Sequence, residues 1–146
     1  YAFHMEPHDS SASDTIFAKI VRKEIPADIV YEDENTLAFL DINPVNPGHT
    51  LVIPKKWARN VLDIDEESWI SLMKTVRMLA RAVKEATNAE GINIDINNEE
   101  AAGQVVFHTH VHIVPRFKGD MRAARPHKEY APGEAAKVAD KIRAVL

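Results

Sequence analysis

"GQVVFHTHVHIVPR", residues 103 to 116, decides how the rest of the chain is read, because it sets histidines at 108, 110 and 112 inside a run that otherwise looks like a buried strand. Successive strand side chains point to opposite faces, so residues i, i+2 and i+4 share one face. One face then carries Val105, Phe107, Thr109, Val111, Ile113 and Phe117, which suits packing against helices. The other carries Gln104, Val106, His108, His110, His112 and Arg116. The histidines are therefore expected off the core face, with neighbours roughly 6.5 to 7 Å apart for a rise of about 3.3 Å per residue. That spacing can surround one small anionic group.

Three readings of the row are open at this point. The regularity is incidental on a half-exposed strand; or His-x-His presents two imidazoles to a metal, for which neutral histidine is a common ligand; or the row serves phosphorus chemistry. In the last, a neutral imidazole is a competent nucleophile near neutral pH, and neighbouring imidazolium and backbone N–H groups hold a phosphate as charge develops on its oxygens. Three of the 7 histidines fall within five positions, which counts against chance, and no second cluster of ligands has comparable spacing, which counts against a metal.

A chain of 146 residues fits one domain with one core. A formal charge of −4, a pI near 6.0 and the lack of a long Lys/Arg run give no electrostatic footprint for nucleic acid or an anionic membrane. No apolar run approaches the length of a transmembrane helix and no h-region follows a basic start, so a cytoplasmic protein is expected. With no cysteine, thiolate chemistry is excluded and His, Asp and Glu are the strong ligands available. Residues 1 to 13 are polar and aperiodic and read as a flexible tail, the part before Met5 as a vector-derived remnant; 14 to 146 read as the domain, with a C-terminal helical extension.

Asp14 is positioned to cap a short helix over "TIFAKIVRK", stopped by Pro26. "DIVYEDENTLAFLDI" reads as two strands turning at Asp33-Glu34-Asn35; Pro44, Pro47 and Gly48 force a loop before a third strand over 50 to 53, making a meander. Asp65 is placed to cap the longest helix, whose stripe of Trp69, Leu72, Met73, Val76, Leu79 and Val83 runs until Gly91 ends it. "INIDIN" supplies a fourth strand, "NEEAAG" a loop and 104 to 116 the fifth strand. In "PGEAAKVADKIRAVL", Ala135, Val138, Ile142 and Val145 face inward on a terminal helix. Without strict βαβ alternation, the pattern favours an α+β antiparallel sheet.

"HTHVHIV" is similar to the His-φ-His-φ-His-φ-φ signature, φ being apolar, of the histidine-triad nucleotide-binding proteins. The resemblance runs from Asp14 to Arg116 through "DTIFAKIVRKEIPADIVYEDENTLAFLDINP", "PGHTLVIPKK" and "NNEEAAGQVVFHTHVHIVPR", and is greatest to the phosphoramidase-like branch. It implies a HIT-like fold: a five-stranded antiparallel sheet, a long central helix, and shorter N- and C-terminal helices. It also implies hydrolysis of purine nucleoside 5'-phosphoramidates or acyl-nucleotides at the α-phosphorus, without cofactor or metal, by a homodimer whose sheets join.

By the same resemblance His110 matches the nucleophile that carries a transient nucleotidyl group, His112 a donor to phosphate, and His108 and His49 residues that orient the others. Asn97, Gly103, Gln104 and the backbone N–H of Val105 match phosphate-side contacts, and Asp41 a ribose carboxylate. Ile16, Phe17, Phe39, Ile42 and Leu51 match apolar purine walls. Read singly, most of these are ordinary core, turn or loop residues, and Glu99 and Glu100 are solvated loop charges. Three departures stand out. Val105 occupies a position where the family commonly has a hydroxyl; Thr15 and Ala18 stand where some relatives have a zinc-binding Cys-x-x-Cys; and the tail after Arg116 is longer than in compact members. The alternatives are a dinucleoside-polyphosphate hydrolase and a nucleotide-binding regulatory module with vestigial activity.

Overall fold

The computed structural model describes residues 15–120 and 127–146; the expected tail over 1–13 and the expected capping residue Asp14 lie outside that range. Thr15 caps the first helix, α1 (Ile16–Val21), its Oγ1 accepting from Ala18 N at 3.0 Å. The turn between β1 (Ile29–Glu32) and β2 (Thr36–Leu40) is built by one carboxylate. Asp33 Oδ1 accepts from Asn35 N at 2.8 Å, from Thr36 N at 2.8 Å and from Thr36 Oγ1 at 3.0 Å, a side chain standing in for a backbone turn partner.

The proline loop then leads into β3 (Thr50–Pro54). Gly48 is required there: at φ 99° it passes the end of the long helix so closely that a Cβ would lie 2.6 Å from Thr87 Cγ2. The long helix α2 (Glu66–Thr87) is capped by Asp65, whose side chain accepts from Ser68 N at 3.1 Å. It ends three residues before the expected Gly91, because Asn88 takes the left-handed C-cap at φ 56°. Gly91 instead opens β4 (Gly91–Asp95), followed by a 3₁₀ turn over Glu100–Ala102, β5 (Val111–Arg116) and α3 (Glu134–Ala144).

The five strands are antiparallel throughout, in the order β1-β2-β3-β5-β4. The chain thus runs as a meander for three strands, crosses over through α2, adds an outer strand and returns to fill the gap between β3 and β4. Central strands β2 and β3 are buried along their whole length because both sheet faces are covered. On one face Leu72, Val76, Leu79 and Val83 of α2 and Ile142 of α3 meet Leu40, Val52, Val111 and Ile113. On the other, Ile16, Phe17 and Ile20 of the six-residue α1 cover Leu37, Phe39, Leu51 and Ile53.

The strand expected over 104–116 is therefore only half a strand. Residues 104–110 leave the ladder because their polar groups find partners in the 54–58 segment. Thr109 N and Oγ1 both donate to Ala58 O, at 2.9 and 3.0 Å, Trp57 Nε1 donates to Phe107 O at 2.8 Å, and His108 turns its ring toward Pro54 O. Nor do the histidines face away from the core: the second face is itself a core, and His108 and His110 are buried in it.

Candidate functional site

One cavity of about 680 Å³ opens where the C-terminal ends of β2 and β4 meet the start of β5. Of the residues singled out from sequence, Asp41, His49, Asn97, Gly103, Val105, His110 and His112 line it. His49 arrives from the proline loop, His112 from the second position of β5, and Gly103 and Val105 from the segment after the 3₁₀ turn.

Each histidine has a partner that sets its tautomer. Val45 N donates to His49 Nδ1 at 3.1 Å, so the His49 proton resides on Nε2 and is donated to His112 Nδ1 at 2.9 Å. His112 is left with its own N–H at Nε2, a donor for a ligand. His110 Nδ1–H donates to the carbonyl of His108 at 2.7 Å, which leaves an unprotonated Nε2 with a lone pair and no partner among the described residues. His108 Nε2–H donates to Pro54 O at 2.8 Å, and its Nδ1 faces Thr15 Oγ1 at 3.4 Å. His108 therefore stays behind the cavity and does not line it.

The ring centroids of His110 and His112 are 5.1 Å apart, edge to face, and those of His49 and His112 5.2 Å apart. His110 precedes the β5 ladder, so its ring is free of the strand's pleat and closes on that of His112. The edge of Phe17 meets His110 at 5.0 Å between centroids and fixes the ring from α1.

Burial holds the imidazoles neutral. It depresses His49 to about 3, with the charges of His127 and His110 adding to the effect, and His112 to about 2, aided by His110 and His49. It lowers His108 to about 4 against the opposing bond to Pro54 O, and lowers His110 as well. Burial also raises Asp41 to about 6, opposed by the Asn43 N–H that its Oδ1 accepts at 2.8 Å. With His49 uncharged near neutral pH, the 3.6 Å approach of its Nε2 to Asp41 Oδ2 is a dipolar contact rather than an ion pair.

Asp41, His49 and His112 bring one ligand atom each within 4.8 Å of one another, a spacing that suits a cation. The donor set does not: His49 Nε2 carries the proton and His112 Nδ1 accepts it, so a metal here would have to break that bond and turn the His49 proton onto Nδ1, against the Val45 N–H.

Several expected contacts lie elsewhere. Phe17, Phe39 and Leu51 are fully buried, and Ile16 nearly so; they form the packed layer behind the histidines and do not line the cavity. Ile42 borders a separate hollow of about 180 Å³ with Tyr130 and Ala135. The Gln104 side chain points away from the cavity: its Nε2 donates to Arg59 O at 2.7 Å and Val106 O at 3.1 Å, and its Oε1 accepts from Glu99 N and Asn60 Nδ2. It braces the loop from inside.

Glu99, with 42% of its side chain still exposed, is a paired charge and not a free one. It takes a two-pronged contact from Arg59, Nε to Oε2 at 2.9 Å and Nη2 to Oε1 at 3.0 Å, plus Asn60 Nδ2, and Arg59 itself lies over the Phe107 ring. That clamp holds Glu99 at φ 77° and ψ 159°, a region used almost only by glycine.

Sequence reasoning missed the polar lining residues Asn43, Asp95 and His127 and the apolar Val45, Ile96, Val106 and Val114. Asp95 was within reach, because an antiparallel β4–β5 pair with alternating faces places it opposite His112. No periodicity marks His127, which arrives from the segment after β5.

The HIT domain family model matches residues 22–119. "Protein hit" of Bacillus subtilis is 48% identical over 110 residues, covering 75% of this chain and 76% of that protein. The adenylylsulfatase HINT3 of Arabidopsis thaliana is 35% identical over 135 residues, 90% of this chain and 68% of that protein. Among solved structures, the Hit-like protein of Bartonella henselae involved in cell-cycle regulation superposes with a TM-score of 0.84 at 44% identity, over 94% of this chain and all of the other.

Proposed function

This chain belongs to the HIT domain family, which makes it of the nucleotide hydrolase or transferase kind, and from that premise we propose that it cleaves purine nucleoside 5'-phosphoramidates or acyl-nucleotides at the α-phosphorus. The observation that carries the reading is the division of labour among tautomers: a bare Nε2 on His110 beside an Nε2–H on His112, 5.1 Å apart between rings.

In this scheme His110 Nε2 attacks the α-phosphorus, the P–N bond to the leaving amine breaks, and a P–N bond to the imidazole forms. His112 donates to a phosphoryl oxygen as charge grows on it, together with amides of the Gly103–Val105 turn. Gly103, at φ 95°, has no side chain in the way (a Cβ there would come within 3.6 Å of Asn97 Nδ2), which lets that backbone come close to a ligand. The leaving nitrogen takes its proton from solvent water, since Val105 offers no hydroxyl to relay one, so turnover is expected to depend on how basic the leaving group is. Water then displaces the nucleotide from His110 and releases the nucleoside monophosphate. The buried Asp41 carboxylate is assigned to the ribose. No step calls for a metal or cofactor.

The likeness to adenylylsulfatase HINT3 favours a second substrate for the same step, adenylyl sulfate, with sulfate leaving in place of the amine. A twofold assembly is also proposed: β4 is an edge strand bearing Ile94 at 51% exposure, and pairing it with a copy would cover both.

The test is a substrate panel of adenosine and guanosine phosphoramidates, adenylyl sulfate, an aminoacyl-adenylate and diadenosine polyphosphate, with acid-free quenching and intact-mass analysis. A nucleotidyl adduct on His110 and fastest turnover of the phosphoramidates support the reading. Fastest turnover of the dinucleotide makes it a dinucleoside-polyphosphate hydrolase, and tight binding without turnover makes it a regulatory module.

A further inference from the structure

The segment after β5 returns to the site. His127 Nδ1–H donates to Asn43 O at 2.5 Å, Lys128 N donates to Pro44 O at 2.7 Å, Lys128 Nζ donates to Asn46 Oδ1 at 2.8 Å, and the Tyr130 hydroxyl accepts from Gly48 N at 2.9 Å. Four bonds within four residues strap this segment across the 43–48 loop that delivers His49. The strap places the exposed His127 in the cavity wall, its ring centroid 6.4 Å from that of His49. Because Nδ1 is committed to Asn43 O, the ring cannot swing freely, and its other nitrogen, Nε2, has no partner among the described residues.

Asp41 lines the same cavity, and both residues flank His49, whose Nε2 is 3.6 Å from Asp41 Oδ2 and whose ring centroid is 6.4 Å from that of His127. The Asp41 carboxylate is partly committed already, Oδ1 to Asn43 N and Oδ2 beside His49 Nε2. A ribose presents two adjacent hydroxyls, and with one lone pair of Oδ1 turned to Asn43 N the Asp41 carboxylate leaves a second acceptor beside it free to share the diol. We infer that His127 is a second ribose-binding residue, its Nε2 taking one hydroxyl of the vicinal diol while Asp41 takes the other. The inference rests on the nucleotide reading above. It makes a segment outside the family-model match a determinant of selectivity for ribonucleotides over their deoxy counterparts.

The experiment is calorimetric titration of the full chain and of His127→Ala with AMP, GMP and their 2',3'-dideoxy forms, which needs no turnover. His127 is exposed, so the variant is expected to fold. The expected result is a loss of about tenfold in affinity for the ribonucleotide, the size of one good hydrogen bond, and less than about twofold for the dideoxy form. Equal losses on both ligands, no loss on either, or a parent protein that binds ribo and dideoxy forms alike would overturn the role of His127. A parent that binds none of the four would instead sink the nucleotide reading itself.

Discussion

Mild acidification should destabilise this protein by more than it would an ordinary domain, and the size of the effect follows from its buried imidazoles. His49, His108 and His112 are held near 3, 4 and 2 by burial, against an ordinary 6.5. A group whose folded value is depressed binds more protons unfolded than folded, so its stabilisation is full above the unfolded value and is lost as pH falls through 6.5. Going from about pH 8 to about pH 5.5, each such histidine costs about 1.4 kcal/mol, or about 4 kcal/mol for the three. Asp41 works the other way: raised to about 6 from 3.8, it takes up protons in the folded state first and returns about 1 kcal/mol over the same interval.

The net loss is therefore about 3 kcal/mol, with the slope carried by the histidines. Urea unfolding at the two pH values, at one protein concentration so that any association contributes equally, measures it by linear extrapolation. Replacing His108 by Gln, which cannot be protonated, should flatten the dependence by about one proton at its steepest. Stability that is unchanged or higher at pH 5.5, or a His108→Gln slope equal to the parent's, would refute the account of these rings as neutral hydrogen-bonded core groups.

His110→Ala should lower kcat/KM by about 10³ or more and abolish the adduct while leaving nucleoside monophosphate binding within about tenfold, whereas His112→Ala should weaken both binding and rate; stopped assays and titration separate the two. At Glu99, held in backbone space that favours glycine, Glu99→Ala should be less stable than Glu99→Gly by about 1 kcal/mol, because both lose the Arg59 clamp but only alanine keeps the strain; equal melts would show that the clamp, not the backbone, matters. Light scattering at micromolar concentration should return twice the chain mass, and Ile94→Lys on the β4 edge should halve it.

Periodicity and turn chemistry were enough to read an α+β antiparallel domain, because both are local. Asp33 closing the β1–β2 turn, Asp65 starting α2 and the apolar stripe of Leu72, Val76, Leu79 and Val83 depend only on neighbours within a turn or two of the chain. The histidine row was legible for the same reason, and so was the part of the site that travels with it. What the sequence could not decide is everything set by partners distant along the chain. Residues 104–110 have strand-like alternation, yet leave the ladder because Pro54, Trp57 and Ala58 supply the groups their polar atoms bond. Asn88 ended α2 before Gly91 could, both residues being able to take the left-handed cap. The insertion of β5 between β3 and β4 is a matter of which edge is open once α2 is in place. The tautomers arise in the same way: His49 is identical in sequence terms to any loop histidine after Pro-Gly, and only the approach of Val45 N on one side and His112 on the other puts its proton on Nε2. His127 enters the site by strapping a loop more than 80 residues upstream, a contact chosen by packing free energy across the folded molecule and not by any pattern along the chain.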